Sequence, residues 1–322
     1  MDQQMPGQGT ANDLPTGAPS AHGAACCAEC GRQQQGTDLE QYIYAIGRLE
    51  VRFPTVGIQQ EFQQRERSGA RGSSQQATSA PISTRGERLH DVLSRNLHLA
   101  RRVCWLLMVG RIPAYIVVPS SSDVLQAMLD GIRNPNPDRN DLVIGRRIGN
   151  ASPTTCGGVL APVAACDQIY SFALDEWGRS LAAQAEPLLK TKKIGADVFT
   201  AHARELFERV AQSTENTGGL DTHRALNYLV VQHPGFFAAA AERVSDHVLE
   251  RIETRLVQGG DFRRVVAVIL TFVDRNTGVA ERLFCRIDVT EEWPFLADGP
   301  EGRATQLGMQ PFIENTLLGQ VV

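Results

Sequence analysis

The amino-acid sequence predicts an α+β fold in which an antiparallel sheet, including a long C-terminal β-hairpin, packs against several helices. In the hairpin, residues 263–273 are almost continuously apolar and β-branched, and residues 279–289 alternate between apolar and polar. Asp274 to Gly278 supply the turn, with Gly278 free to adopt a positive φ. Helical patterns also precede a run of strand patterns along the chain, an order that favours α+β over a doubly wound sheet.

Composition and periodicity define the first elements. Residues 1–38 are rich in Gly, Gln, Ala, Pro and Ser and are predicted to form a flexible tail. A first strand and helix are expected within 42–62, followed by a Ser-, Gln- and Gly-rich loop at 69–84. Apolar residues at helical spacing then predict one long helix over 89–108, which Gly110 ends.

The middle of the chain alternates between strand and helix patterns. Residues 114–118 and 141–148 are predicted strands, and a short helix at 123–132 lies between them. A Ser-Ser-Asp run at the start of this helix supplies its cap. Both strands are therefore expected to belong to the same domain as the hairpin.

Two further helices and a strand lead into the hairpin. Asp197 is the expected N-cap of a helix whose apolar residues face inward. Asp221 or Thr222 is expected to cap the next helix, which Pro234 ends. A strand at 248–257 is predicted to pair with the hairpin.

Length and charge limit the domain count and the class of partner. The 322 residues, of which 42% are hydrophobic, are predicted to form a single α+β domain at 39–296 and a C-terminal extension at 297–322. The net charge of −4 provides no basic surplus for a nucleic-acid partner. No apolar run reaches the roughly 20 residues of a membrane span. The N-terminus also lacks a secretory signal pattern, so a cytoplasmic location is expected.

Seven cysteines are the main chemical resource of the sequence. Cys27 and Cys30 are separated by two residues, a spacing at which two thiolates can chelate one zinc ion. This pair is half of a structural site, and Cys156 and Cys104 are the candidate third and fourth ligands, so zinc is the candidate cofactor. In the alternative, cysteines on apolar patterns are small core residues. These are Cys104, Cys166 and Cys285.

A cluster of polar residues marks the helix that starts near Asp221, namely His223, Arg224, Asn227 and Tyr228. Helix-start amides together with Arg224 would bind a carboxylate or a peptide terminus, which makes these four residues candidate ligand-binding residues. In the alternative, Asp221 caps the helix while Arg224 and Tyr228 bridge to neighbouring loops, a structural role that needs no ligand.

No catalytic residue is assigned from the sequence. A Walker loop, a dinucleotide fingerprint and a His-Glu-x-x-His motif are absent. None of the seven histidines lies in a Gly-rich or elbow-like context, although the partners of a Cys–His pair meet only in space. The sequence therefore favours a non-enzymatic role and leaves an enzymatic use of the thiols open.

Five sequence blocks occur in an order that resembles a known family. They are YIYAIGRLEVRFPTVGIQQEF at 42–62, LARRVCWLL at 99–107, CDQIYSF at 166–172, DTHRALNYLVVQHP at 221–234 and the hairpin at 272–295. Together they resemble the C-terminal domain of the cyanobactin maturation proteases of the PatA and PatG type. The resemblance covers roughly residues 40–296, and no single block is a catalytic motif.

This resemblance implies a pathway more readily than a reaction. In those proteases the domain follows a subtilisin-like domain, whose Gly-Thr-Ser nucleophile segment is absent here. The resemblance implies a free-standing or excised accessory module in the maturation of ribosomally made, post-translationally modified peptides. Its expected partner is a precursor peptide or a subtilisin-like maturation protease. An enzyme of unknown reaction in the same pathway and a zinc-stabilised structural or dimerisation domain, acting as a homodimer, are the two alternatives.

Overall fold

The computed structural model describes residues 41–72, 84–133, 136–152, 154–211, 215–258, 263–297 and 309–312. Helices and two sheets make up this part of the chain, which confirms the predicted α+β class. The helices are α1 (Val56–Gly72), α2 (Arg85–Arg95), α3 (Leu97–Ala100), α4 (Ser122–Arg133), α5 (Leu174–Gln184), α6 (Glu186–Lys192), α7 (Ala196–Ala211), α8 (Asp221–Gln232) and α9 (Pro234–Arg243).

The first sheet is a closed five-stranded barrel. Its strands are β1 (Tyr42–Arg52), β2 (Cys104–Val109), β3 (Ile112–Pro119), β4 (Arg139–Asn150) and β5 (Pro162–Ala173). They follow the order β1-β2-β3-β5-β4, and β4 pairs with β1 to close the barrel. Every neighbouring pair is antiparallel except β3 and β5, which run parallel. This order, with α4 between β3 and β4, resembles that of OB-fold barrels.

The second sheet contains the predicted hairpin. Strands β6 (His247–Gln258), β7 (Arg264–Asp274) and β8 (Ala280–Asp288) are consecutive and antiparallel. Two short strands, β9 (Phe295–Leu296) and β10 (Gln310–Pro311), pair with β8. The turn between β7 and β8 forms as predicted, because Asp274 Oδ1 accepts hydrogen bonds from the backbone N–H groups of Asn276 and Thr277.

Two large apolar cores lie on opposite sides of the barrel wall. The interior of the barrel packs with α1 to α4 through residues such as Ile43, Trp105 and Leu129. On the outside, Tyr44 and Ile144 of the barrel contact a second core. Helices α5 to α9 contribute to this second core together with the inner face of β7 and β8, so the helices lie between the two sheets.

The predicted long helix over 89–108 is wrong in its second half. Helix α2 ends at Arg95, the short α3 ends at Ala100, and the chain then enters β2. Trp105 fixes this change of direction, since its indole N–H donates to the carbonyl of Ala100 at 2.9 Å. Gly110 therefore lies in the turn between β2 and β3 and not at a helix end.

The other predicted elements are confirmed with shifted ends. The predicted loop at 69–84 begins later, because α1 continues to Gly72. Asp197 lies in the first turn of α7 and not at its cap. The N-cap of α8 is Leu220, and neither Asp221 nor Thr222 caps the helix with its side chain. The local sequence patterns do not predict β2, β5, α5, α6 or α9.

Candidate functional site

Arg224, the central residue of the predicted ligand cluster, lies in the interior with 1% of its surface exposed. Its guanidinium donates to the carbonyls of Val289 at 2.6 Å and Glu292 at 3.1 Å, and also to the carbonyl of Glu291. The Tyr42 ring centroid lies 5.4 Å from the guanidinium carbon. Burial lowers the pKa of Arg224 to about 10, which still leaves it charged at neutral pH. Arg224 therefore attaches α8 to the segment after β8.

Asn227, the second residue of the cluster, attaches α8 to the barrel. Its side-chain amide donates to the carbonyl of Tyr44 at 2.8 Å and accepts from the Asn216 side chain at 2.7 Å. The N–H of Tyr44 donates to the carbonyl of Gly218 at 2.9 Å. Both backbone groups of Tyr44 are thus hydrogen-bonded by the α7–α8 loop and α8.

His223 and Tyr228 have separate surroundings on the same helix. The Tyr228 ring meets the Tyr44 ring edge-on, with 6.4 Å between centroids, and burial raises the pKa of Tyr228. Burial lowers the pKa of the half-buried His223, whose Nδ1 has no hydrogen-bond partner in the described part of the chain. The contacts of Arg224 are those of the structural alternative, although Asp221 does not cap the helix. Ligand binding by the four residues remains a prediction.

The structure brings Cys104 and Cys156 together, but as a disulfide and not as thiolate ligands. Their sulfurs are bonded, and the two Cα atoms are 5.5 Å apart. In this state neither sulfur is the free thiolate that a zinc ion requires, and zinc binding by these two cysteines remains a prediction. Cys27 and Cys30 lie outside the described residues. Among the described side chains, no three His, Cys, Asp or Glu residues form a group suited to a metal ion.

Cys166 and Cys285 are the free cysteines of the described ranges, and both are buried. Burial raises the pKa of each thiol to about 12. Because the thiolate is the nucleophilic form, such cysteines are inert at neutral pH. This agrees with the prediction that cysteines on apolar patterns are core residues.

A cleft lined by basic residues, which the sequence did not reveal, lies between α7, α9 and the start of β6. It has a volume of about 160 Å³ and an apolar floor that includes Leu206 and Phe272. Its charged and titratable lining residues are His202, Glu205, Arg209, Arg243, His247 and Arg275.

The arginines of this cleft differ in their partners. The Arg243 guanidinium is held by the Glu281 carboxylate at 2.7 Å. Arg209 donates to the carbonyl of Leu249, and Arg275 donates to the carbonyls of Val244 and His247. Neither Arg209 nor Arg275 forms an ion pair with a described carboxylate. The cleft thus has two exposed guanidinium groups whose charges are not neutralised by such a contact, above an apolar floor.

Part of this cleft could have been found from spacing. His202, Leu206 and Arg209 lie at helical intervals of four and three residues, which places them on one face of the predicted helix. Arg275 lies in the hairpin turn, 66 residues after Arg209 in the numbering. Only the fold brings these two elements to the same cleft.

Strand β6 borders the cleft and forms an edge of the second sheet. It begins at His247 beside the cleft and continues to Gln258, and within the described ranges it pairs with β7 alone. Val248 and Leu256 are apolar but 48% and 64% exposed. Such an open edge offers backbone donors and acceptors to a further strand.

Comparisons with known proteins concern the whole fold. A family model described as PatG Domain matches residues 42–257, more than half of the chain. A solved structure titled "PatG Domain of Unknown Function" has 20% sequence identity and a TM-score of 0.58, with 80% of this chain and 97% of that chain covered. At this identity the likeness shows the fold. No curated protein matches the sequence.

None of the helices in the described ranges has the length and apolar character needed to cross a membrane.

Proposed function

The chain belongs to the PatG domain family, which confirms the resemblance of its sequence blocks, and on this premise we propose that it binds an extended precursor peptide. In this proposal it is an accessory, non-catalytic module of cyanobactin-type peptide maturation. The place of action is the cytoplasm, where a ribosomally made precursor is first released.

The open edge of β6 is the observation that carries this proposal. A peptide in extended conformation can add to an exposed strand through main-chain hydrogen bonds, while its side chains provide selectivity. The 12 residues of β6 give an edge of about 40 Å, at about 3.3 Å per residue. Along the strand, Glu253 lies between Arg251 at 3.0 Å and Arg255 at 3.4 Å, so this edge also presents charges of both signs.

The basic cleft supports one direction for the bound peptide. Antiparallel pairing is slightly more stable per residue than parallel pairing. A peptide antiparallel to β6 would have its C-terminal end beside His247, at the cleft. Arg209 and Arg275 would then attract its carboxylate, because guanidinium groups form strong charge-assisted hydrogen bonds with carboxylates.

The described thiols support binding rather than catalysis. With pKa values of about 12, Cys166 and Cys285 are almost entirely protonated near neutral pH and are poor nucleophiles. Their burial also separates them from a peptide on the edge of β6. An enzymatic use of the thiols in the N-terminal 38 residues is a separate hypothesis, which the same binding experiment tests through peptide turnover.

Fluorescence anisotropy with a labelled cyanobactin-type precursor peptide tests the proposal. We expect saturable binding, and hydrogen–deuterium exchange should slow at β6 when the peptide is present. Val248→Glu and Leu256→Glu should each weaken binding by about tenfold, a loss of about 1.4 kcal/mol, because they place a charge at the apolar positions of this edge. Amidation of the peptide C-terminus should weaken binding to the wild type but change little for Arg275→Gln.

Ile112→Glu is the matched control, since Ile112 is an apolar strand residue with 57% exposure in β3 of the barrel, outside the second sheet. Its affinity should equal that of the wild type. Binding that leaves the exchange of β6 unchanged would contradict the proposed site. Cleavage or cyclisation of the peptide, detected by mass spectrometry, would contradict the non-catalytic role. Capture of a subtilisin-like protease in place of the peptide, or pairing of two copies through β6, would assign the edge to a different partner.

A further inference from the structure

Strand β2 is buried on both of its faces. Trp105, Leu107 and Val109 point into the core inside the barrel. The alternate residues belong to a separate small cluster on the outside of the barrel, which contains Cys104, Leu106, Met108, Ile116, Cys156 and Ala161. The outer cluster exists because the described residues of the loop between β4 and β5, 151–152 and 154–161, lie over β2 and β3. We refer to this segment as the cover loop.

In the described ranges, hydrogen bonds do not attach the cover loop to the barrel. The loop closes on itself through Ala151 N–H to the Ala161 carbonyl at 3.2 Å. Two turns inside it are formed by Thr155 N–H to Ser152 at 2.8 Å and Gly158 N–H to Thr155 at 3.1 Å. Within its described residues, all hydrogen bonds of the loop remain inside the loop. The contacts with β2 and β3 are therefore the small apolar cluster and the Cys104–Cys156 disulfide.

The loop holds Cys156 in an unfavourable backbone conformation. Cys156 has a φ of +51°, in the left-handed region that residues with a Cβ rarely adopt. Such conformations persist only where the surrounding structure enforces them. The neighbouring residues Thr155 and Gly157 are exposed, so few contacts besides those of Cys156 itself hold this part of the loop.

The covered face has a general significance in barrels of this strand order. In OB-fold barrels the face formed by strands 2 and 3, together with the loop between strands 4 and 5, is a common ligand-binding surface. A fold alone does not assign a function. In this protein the corresponding loop is bonded to β2 through the Cys104–Cys156 disulfide and covers that face.

We propose that the Cys104–Cys156 disulfide holds the cover loop over the β2–β3 face and that reduction uncovers this face. A dithiol would supply the reduction: it transfers two electrons and two protons, the sulfur–sulfur bond breaks, both cysteines become thiols, and the dithiol forms its own disulfide. Release of the bond allows Cys156 to leave its left-handed conformation. The apolar side chains of Leu106, Met108 and Ile116 then become accessible.

Hydrogen–deuterium exchange of the full chain, with and without dithiothreitol, tests this inference. In the reduced protein, amides of the cover loop should exchange at least tenfold faster, whereas amides of β2, paired with both β1 and β3, should remain protected. The fluorescence of 1-anilinonaphthalene-8-sulfonate should increase on reduction, since the dye binds exposed apolar surface. Equal loop exchange in both redox states would overturn the proposal.

Variants separate this bond from the other cysteines. The double variant Cys104→Ser/Cys156→Ser should show the fast loop exchange in the absence of any reductant. Cys166→Ser, which removes a different buried thiol, should keep the response to dithiothreitol. N-ethylmaleimide alkylates only free thiols. If it alkylates both Cys104 and Cys156 in protein denatured without reductant, the disulfide does not form and the proposal is overturned. The dithiothreitol experiment uses the wild-type protein, so it still tests the proposal if the double variant does not fold.

Discussion

Arg224 is a buried cation whose hydrogen bonds are made mainly to backbone carbonyls. Its sequence context predicted both a ligand site and a structural bridge, because a guanidinium at a helix start serves a bound carboxylate and a loop carbonyl equally well. The sequence identified the important helix and its polar residues. It did not reveal the acceptors, since Val289 and Glu292 are more than 60 positions further along the chain.

Arg224→Leu should lower the free energy of unfolding by about 3 kcal/mol, because the buried carbonyls around it would lose their donors. Urea denaturation measures this loss. Arg88→Leu is the control, since the Arg88 side chain is about half exposed, and it should change stability by no more than about 0.5 kcal/mol. Unchanged stability of Arg224→Leu together with lost peptide binding would favour the ligand-binding interpretation instead.

His233 is a second buried residue whose protonation matters. Its Nδ1 accepts a hydrogen bond from the N–H of Phe236 at 2.9 Å and so caps α9. Burial lowers the pKa of His233 from 6.5 to about 4. Between these values the unfolded chain binds a proton that the folded chain does not, so stability decreases as the pH falls through this window.

The contribution of His233 to this loss should reach on the order of 3 kcal/mol between pH 6.5 and pH 4. His233→Asn keeps a capping acceptor but does not titrate, so its stability should depend less steeply on pH. Urea unfolding at pH 7 and pH 5 measures the difference. Equal slopes for His233→Asn and the wild type would refute the assignment.

At the scale of elements, β2 explains why one helix prediction was wrong. Six consecutive apolar residues, Cys104–Val109, continue the helical spacing of α2 and α3, and periodicity alone does not separate a buried strand from a buried helix. The run is apolar throughout because both faces of β2 are covered, one by the barrel interior and one by the cover loop. The hairpin was easier to predict, since it combines a turn signal with an alternating strand.

The α7–α8 loop approaches β1 so closely that it requires a glycine. Gly218 has a φ of +75°, and a Cβ there would lie 2.5 Å from the Cα of Ala45. Gly278, in the hairpin turn, has a φ of +69°, and a Cβ added there would have no atom within 4 Å. The two glycines share a backbone conformation and differ in the space around them.

Gly218→Ala should therefore destabilise the protein by about 3 kcal/mol, through backbone strain together with a clash against β1. Gly278→Ala should cost about 1 kcal/mol, because it introduces the strain alone. Thermal unfolding of both variants measures the contrast. Equal losses would show that the contact between the loop and β1 is looser than described.

At the scale of the whole molecule, pairings distant in sequence limited prediction. Closure of the barrel needs β4 to pair with β1 and β3 to pair in parallel with β5, and local patterns do not specify such partners. The same limit applied to the basic cleft, whose residues come from two helices and two strands.

The domain limits at 39 and 296 and the zinc site of Cys27 and Cys30 stay predictions. Metal analysis of the purified wild type and of Cys27→Ser tests the latter.

The hydrogen bonds of Tyr44 bear on how this domain can be recombined with its relatives. Strand β1 pairs with β4 at Tyr44 but with β2 only from Arg48 onward, so among the described strands none pairs with β1 on the other side of Tyr44. Gly218 and Asn227 fill that position. A chimera that takes β1 from one relative and α8 from another would disturb these hydrogen bonds between β1 and the α7–α8 region. Crossovers for shuffled libraries should therefore keep 42–47 and 216–227 from the same parent.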